Sequence, residues 1–190
     1  MPRPKLHSDE AVLEAASDVL LRTGPIQFTL SDVAQALGMS RAALIQRFQN
    51  KSALLHRLAE RDVALTREYL DGFPPGRSVE DLWRFLSDIV LGMGDGAGFQ
   101  VRLLIAWSEA TDPVLKGLGS ERYRRVQAAI SARVPLGTPN PEALAEHLHA
   151  VIAGATMQWL VADEAPLGRF VLDRLSVAMA IAFPGHEFEA

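Results

Sequence analysis

The stretch Thr29 to Asn50, Thr-Leu-Ser-Asp-Val-Ala-Gln-Ala-Leu-Gly-Met-Ser-Arg-Ala-Ala-Leu-Ile-Gln-Arg-Phe-Gln-Asn, decides the fold. It reads as two short helices joined by a glycine turn, an arrangement that can hold one helix in the major groove of DNA. Thr29 can cap the first helix, and Asp32 completes a Thr-x-x-Asp variant of the capping box; Val33, Ala34 and Leu37 then share a face. Gly38 ends it, because a left-handed residue after the last turn costs least without a β-carbon. Ser40 can cap the second helix, on which Leu44 and Phe48 point inward while Arg41, Ala42, Ile45 and Gln46 point largely away.

Arg41 and Gln46 are long, multi-donor side chains suited to base edges, and Ala42 offers a methyl-sized contact for a thymine methyl. These three are the expected base-reading residues. Helix pairs with a glycine between them also occur in proteins that never touch DNA, so the flanks matter. Upstream, Ser8 with Asp9 and Glu10 starts a helix carrying Val12, Ala15, Ala16, Val19 and Leu20, which Gly24-Pro25 should stop. Downstream, Asn50 can cap a helix beginning at Lys51 and running through Leu54, Leu55, Leu58 and Ala59.

The run from Ser8 to about Leu58 resembles the N-terminal domain of the TetR family of bacterial repressors. The resemblance lies in Val12 to Ala16, Thr29 to Ala34, Gly38 to Leu44, Phe48, and Asn50 to Leu55, in continuous register. One departure is Ile45, where the family usually has a tyrosine that reaches a phosphate; Arg47 is the expected substitute. Thr29, Ser40, Arg47 and Lys51 are accordingly the expected contacts to the DNA backbone. The resemblance implies an all-α chain of about nine helices: a three-helix helix-turn-helix domain over residues 1–50, then a helical effector-binding and dimerisation domain over 51–190. It further implies a homodimer on a palindromic double-stranded operator, released by a small-molecule effector, with no cofactor.

Composition agrees. The chain has 190 residues, 48% of them hydrophobic, enough for a packed core and too many for a disordered segment. No apolar run approaches the length of about 18 to 20 residues that crosses a bilayer, and Met1 to His7 carries no apolar signal core, so no membrane partner and a cytoplasmic location are expected. The absence of cysteine excludes disulfides, thiolate zinc sites and cysteine nucleophiles. The net charge of −4 is unevenly divided: residues 1–61 hold 8 Lys or Arg against 6 Asp or Glu, and the acidic excess lies beyond them. Binding to DNA must then rest on a few well-placed contacts and on two copies per operator.

The remainder reads as helices. Asp71 to Gly76 breaks the fourth from the fifth; Ser78 can cap the fifth, with Leu82, Phe85, Leu86, Ile89 and Met93 on one stripe, and the glycine-rich Gly92 to Gly98 ends it. A sixth is expected from about Phe99 to Ala110. Asp112-Pro113 and Asn140-Pro141 each place a cap before a proline at the first helical position, starting helices that end near Val134-Pro135 and Asp163; a last helix runs from about Pro166 to Phe183.

No catalytic constellation is present. His147 and His149 lie two apart and cannot share a metal in the i, i+4 manner, and Ser108-Glu109 diverge on a helix, so no enzymatic role and no metal site are expected. An effector pocket among the middle helices would be walled by Trp83, Leu86, Ile89, Leu103, Trp107, Tyr123, Val126 and Met157, with His147 as a polar anchor; Phe85, Trp159, Arg102 and Glu109 are further candidates. Each apolar member serves equally well as ordinary core. The shortage of paired charges points to an apolar or amphipathic ligand. The last two helices carry more apolar surface than one wet face needs, and Leu148, Ile152, Ala155, Trp159, Val177, Ala178 and Ile181 are the expected dimer face. The competing reading is a helical small-molecule-binding protein or enzyme whose helix pair is coincidental.

Overall fold

The computed structural model describes residues 7–162 and 165–189. Among them are nine helices and no strand: α1 Asp9–Gln27, α2 Leu30–Ala36, α3 Arg41–Phe48, α4 Lys51–Asp71, α5 Val79–Leu91, α6 Phe99–Glu109, α7 Pro113–Ser131, α8 Pro141–Ala162 and α9 Leu167–Ala182. Most starts are set by local chemistry. The hydroxyl of Ser8 accepts from the Ala11 N–H at 3.1 Å, and the Asp112 carboxylate accepts from the N–H groups of Val114 and Leu115 at 2.8 and 3.1 Å. Ser78 and Asp81 form a reciprocal capping box. The break at Gly24-Pro25 takes the form of a kink: Gly24 leaves the helical region at φ 74°, ψ 165°, and one further turn follows. The end expected near Asp163 lies outside the described residues.

The chain divides into two compact units. The first takes the residues up to Thr66 together with Gly98–Glu121. Its core joins Val12, Ala16 and Val19 of α1, Phe28, Val33 and Ala34, Leu44 and Phe48 of α3, and Leu54 and Leu58 of α4. Leu44 is wholly buried, so Leu44→Ala should cost about 2–5 kcal/mol through lost transfer energy and the cavity left behind. The sixth helix belongs to this unit: it packs on α1, with Ile105 against the same core.

The second unit comprises Arg67–Ala97 and the chain from Arg122 onward. Here α9 is central, packed on one side by α5 and on the other by α8. Leu82, Phe85, Leu86 and Val90 of α5 and Ala145, Leu148, Ile152 and Ala155 of α8 are buried, along with Phe170, Val171, Leu175 and Met179 of α9. Trp159 donates its indole N–H to the Ala165 carbonyl at 2.7 Å. Its ring lies so close to Gly96, at φ 89°, that a β-carbon there would stand 2.4 Å from it. Arg133 donates to the carbonyls of Phe73 and Pro74 and lies 4.0 Å from the centre of the Phe85 ring. No described helix is long and apolar enough to cross a membrane.

Candidate nucleic-acid interface and ligand region

The helix pair is fixed by its own side chains. The Thr29 hydroxyl accepts from the Asp32 N–H at 3.2 Å and donates to the Asp32 carboxylate at 2.6 Å, so the acid accepts a hydrogen bond from the cap's hydroxyl instead of from its amide. Gly38 turns the chain at φ 60°, and the N–H of Met39 closes onto the Ala34 carbonyl at 3.0 Å. The Ser40 hydroxyl accepts from the Ala43 N–H at 3.1 Å, and the Asn50 side-chain oxygen accepts from the Ala53 N–H at 2.8 Å, capping α3 and α4. Between these two helices Gln49 sits at φ 64°, ψ −64°, and the Asn50 N–H donates to the Phe48 carbonyl at 2.7 Å. That is the strained γ-turn with positive φ, held here on a non-glycine residue directly after α3.

Leu44 and Phe48 face the core, and Arg41, Ala42 and Gln46 are exposed together on the other side of α3. Ile45, expected to point outward, is half-buried and packs at the rim of the core beside Leu44. Thr29 and Ser40 are exposed and already serve as caps.

Two of the expected backbone contacts are engaged elsewhere. Arg47 donates to the His7 carbonyl at 3.0 Å and forms an ion pair with Asp9; its side chain is only 16% exposed. Lys51 donates to the Pro25 carbonyl at 2.9 Å and stands over the Phe28 ring. Both fasten α1 to the helices that follow. The physical reason is that the α1 end and its preceding segment leave carbonyls without helical partners, and a nearby cation satisfies them. In the same unit, His56 of α4 meets Asp112 at 3.0 Å. Hydrogen bonding to His56, and then to the Leu115 amide, holds the Asp112 carboxyl below its ordinary range.

The expected pocket residues are distributed less tidily. Leu103 and Trp107 belong to the first unit with α6, and Trp107 is 78% exposed. In the second unit Leu86 is fully buried core, Ile89 and Val126 are half-buried, Tyr123 is exposed, and Met157 lies on the open side of α8. His147 points to solvent, whereas His149, not among the expected pocket residues, lies with its ring 5.0 Å from that of Tyr123; burial lowers its pKa. Its phase with Ala145 and Ile152, on the buried side of α8, was the available signal. Trp83 joins a groove of about 450 Å³ formed with Glu80, Arg84, Ser87 and the C-terminal residues His186 to Glu189.

The residues of the expected dimer face are divided between buried and exposed positions. Leu148, Ile152 and Ala155 are buried within the unit and Trp159 is engaged with Ala165 and Gly96, because the most apolar stripe of α8 is taken by its own chain. The exposed apolar side of these helices is instead Met157, Val161, Val177 and Ile181, with Ala178 half-buried beside it.

Among the described residues, the nine helices include a capped helix-turn-helix whose second helix exposes Arg41, Ala42 and Gln46 together. Residues 12–58 match the profile of bacterial regulatory proteins, tetR family. The whole fold agrees with it. SmeT, the repressor of the Stenotrophomonas maltophilia multidrug efflux pump SmeDEF, superposes with a TM-score of 0.67 at 20% identity over 96% of each chain. Its triclosan complex gives 0.69 at 21% identity, over 95% of this chain and 97% of that one. FadR from Bacillus subtilis, solved with stearoyl-CoA, gives 0.64 at 15% identity, over 89% of this chain and 96% of that one. No curated protein sequence matches the chain significantly.

Proposed function

We propose that this chain is a ligand-responsive transcriptional repressor, not an enzyme, that binds a palindromic operator as a homodimer. The observation that carries the proposal is the α3 face: Arg41, Ala42 and Gln46 exposed side by side on a short helix capped at Ser40 and seated by Leu44 and Phe48 in a tetR-family domain. Arg41 reads a guanine edge, Gln46 an adenine edge, and Ala42 a thymine methyl; Thr29, Ser40 and the remaining donor capacity of Lys51 hold the phosphates. The exposed side chains of Met157, Val161, Val177 and Ile181 form the dimer face, and two copies place their recognition helices in successive major grooves about 34–36 Å apart.

The effector is a small apolar or amphipathic molecule held in the helical part of the chain. Both SmeT, in its triclosan complex, and FadR, in its stearoyl-CoA complex, hold ligands with large apolar bodies, and that supports the same class here. Ligand favours a spacing of the recognition helices that no longer fits the operator, which is a population shift. Selection of bound fragments from a random DNA pool, followed by footprinting, tests the proposal. The expected result is a two-fold symmetric site of two half-sites one helical turn apart. Retention of no sequence above background, at low salt and with a folded protein, would refute it.

A further inference from the structure

The groove against α5 differs in chemistry from an apolar effector site. Its floor is the indole of Trp83, and the C-terminal segment folds over it so that Phe188 meets Trp83 edge-on at 5.3 Å between ring centres. His186 stacks on Phe188 at 6.3 Å and approaches Glu80 at 3.4 Å. Three aromatic rings thus converge on one side of a space of about 450 Å³, the size of a drug-like ligand site. The rim is acidic: Glu80, Glu187 and Glu189 line it against the single guanidinium of Arg84, which is itself near Asp81 at 3.6 Å. Glu80 is held ionised by a hydrogen bond to its own backbone N–H and then by Ser78. In the wall the Ser87 hydroxyl is enclosed and has no hydrogen-bond partner among the described residues.

Aromatic faces carry negative quadrupole charge, and carboxylates at their edge reinforce it, so such a space favours a positive charge on an apolar body and disfavours an anion. We propose that this groove is a binding site for a hydrophobic organic monocation. The cation rests over Trp83 and Phe188, and its charge faces Glu80, Glu187 and Glu189. The C-terminal segment forms one wall, so the site exists only while that segment lies on α5.

Ethidium is a suitable probe, with 6-phenylphenanthridine as its uncharged ring counterpart. Titration of the full chain without DNA, followed by ethidium fluorescence and calorimetry, keeps the test independent of operator binding. The expected result is saturable binding of one ethidium per chain, weakened at least fivefold by Phe188→Ala and by the double substitution Glu187→Gln/Glu189→Gln. Circular dichroism of these surface variants should match the parent. Binding that ignores both variants places the dye elsewhere and overturns the proposal. So does equal affinity for the uncharged ring, or no saturable binding below about 1 mM.

Discussion

Replacing Arg47 with methionine separates two roles for one side chain. As an anchor, Arg47 contributes a partly exposed ion pair with Asp9, worth about 0.2–1 kcal/mol. Its hydrogen bond to the His7 carbonyl adds about 1 kcal/mol. Its Nε is buried without a partner, and relief of that desolvation on substitution returns part of the loss. Methionine keeps an apolar stem near the Phe48 ring, so packing is largely conserved. The net destabilisation is about 1 kcal/mol, which lowers Tm by about 2–4 °C for a chain of this size. A phosphate contact would behave differently: Tm would hold, and the slope of log affinity against log salt would flatten by about 0.9 for each lost contact, about 1.8 for the two copies of a dimer. Thermal denaturation and gel-shift titrations at several salt concentrations, run on Arg47→Met and Asp9→Asn, read both quantities. An unchanged Tm with a flattened salt slope in Arg47→Met would refute the anchoring argument.

Arg41→Ala should cost about 1–3 kcal/mol on the operator and relax discrimination at one base pair per half-site, measured by gel shift on matched and mismatched sites. Ile181→Glu should leave the circular dichroism of the chain intact, because the side chain is 75% exposed within it, yet convert the dimer to monomer in sedimentation and abolish operator binding. The pKa of His149 is lowered by burial below 6.5, so the unfolded chain takes up the proton first. Stability should therefore fall as pH drops below the ordinary histidine value, and urea unfolding across that range should show a shallower decline in His149→Gln. The Asp112 carboxyl is depressed by His56, so what it contributes is present above the ordinary carboxylate value and is lost only as pH falls through and below it. Asp112→Asn should lower stability at neutral pH and flatten the acid limb, read by urea unfolding across that pH range.

The helix caps were legible because each is a local device: Thr29 and Asp32, Ser40 and Ala43, or Asn50 and Ala53 lie three residues apart. The inward pair Leu44 and Phe48 was legible for the same reason, being four apart on one helix. Arg47 and Lys51 were not, since the groups that hold them lie 38 to 40 and 26 residues away and nothing near them announces it. The face of α8 was ambiguous because the helix is apolar on more than one side, and its contact with α9, not its own pattern, decides which stripe is buried. Leu103 and Trp107 were grouped with residues of the second unit because the packing of α6 on α1 depends on contacts some ninety residues apart in the chain.

The fastening of α1 by Arg47 and Lys51 bears on how such a protein would search a genome. Arg47, turned toward the His7 carbonyl and Asp9, is one cation fewer that releases counterions from arbitrary DNA, so the hold on non-operator sequence is reduced. The proposed repressor would then slide less and dissociate more often than one with that cation free. The free pool is then the population that meets the inducer first, and the response is governed by how quickly vacated operators are denied a fresh dimer.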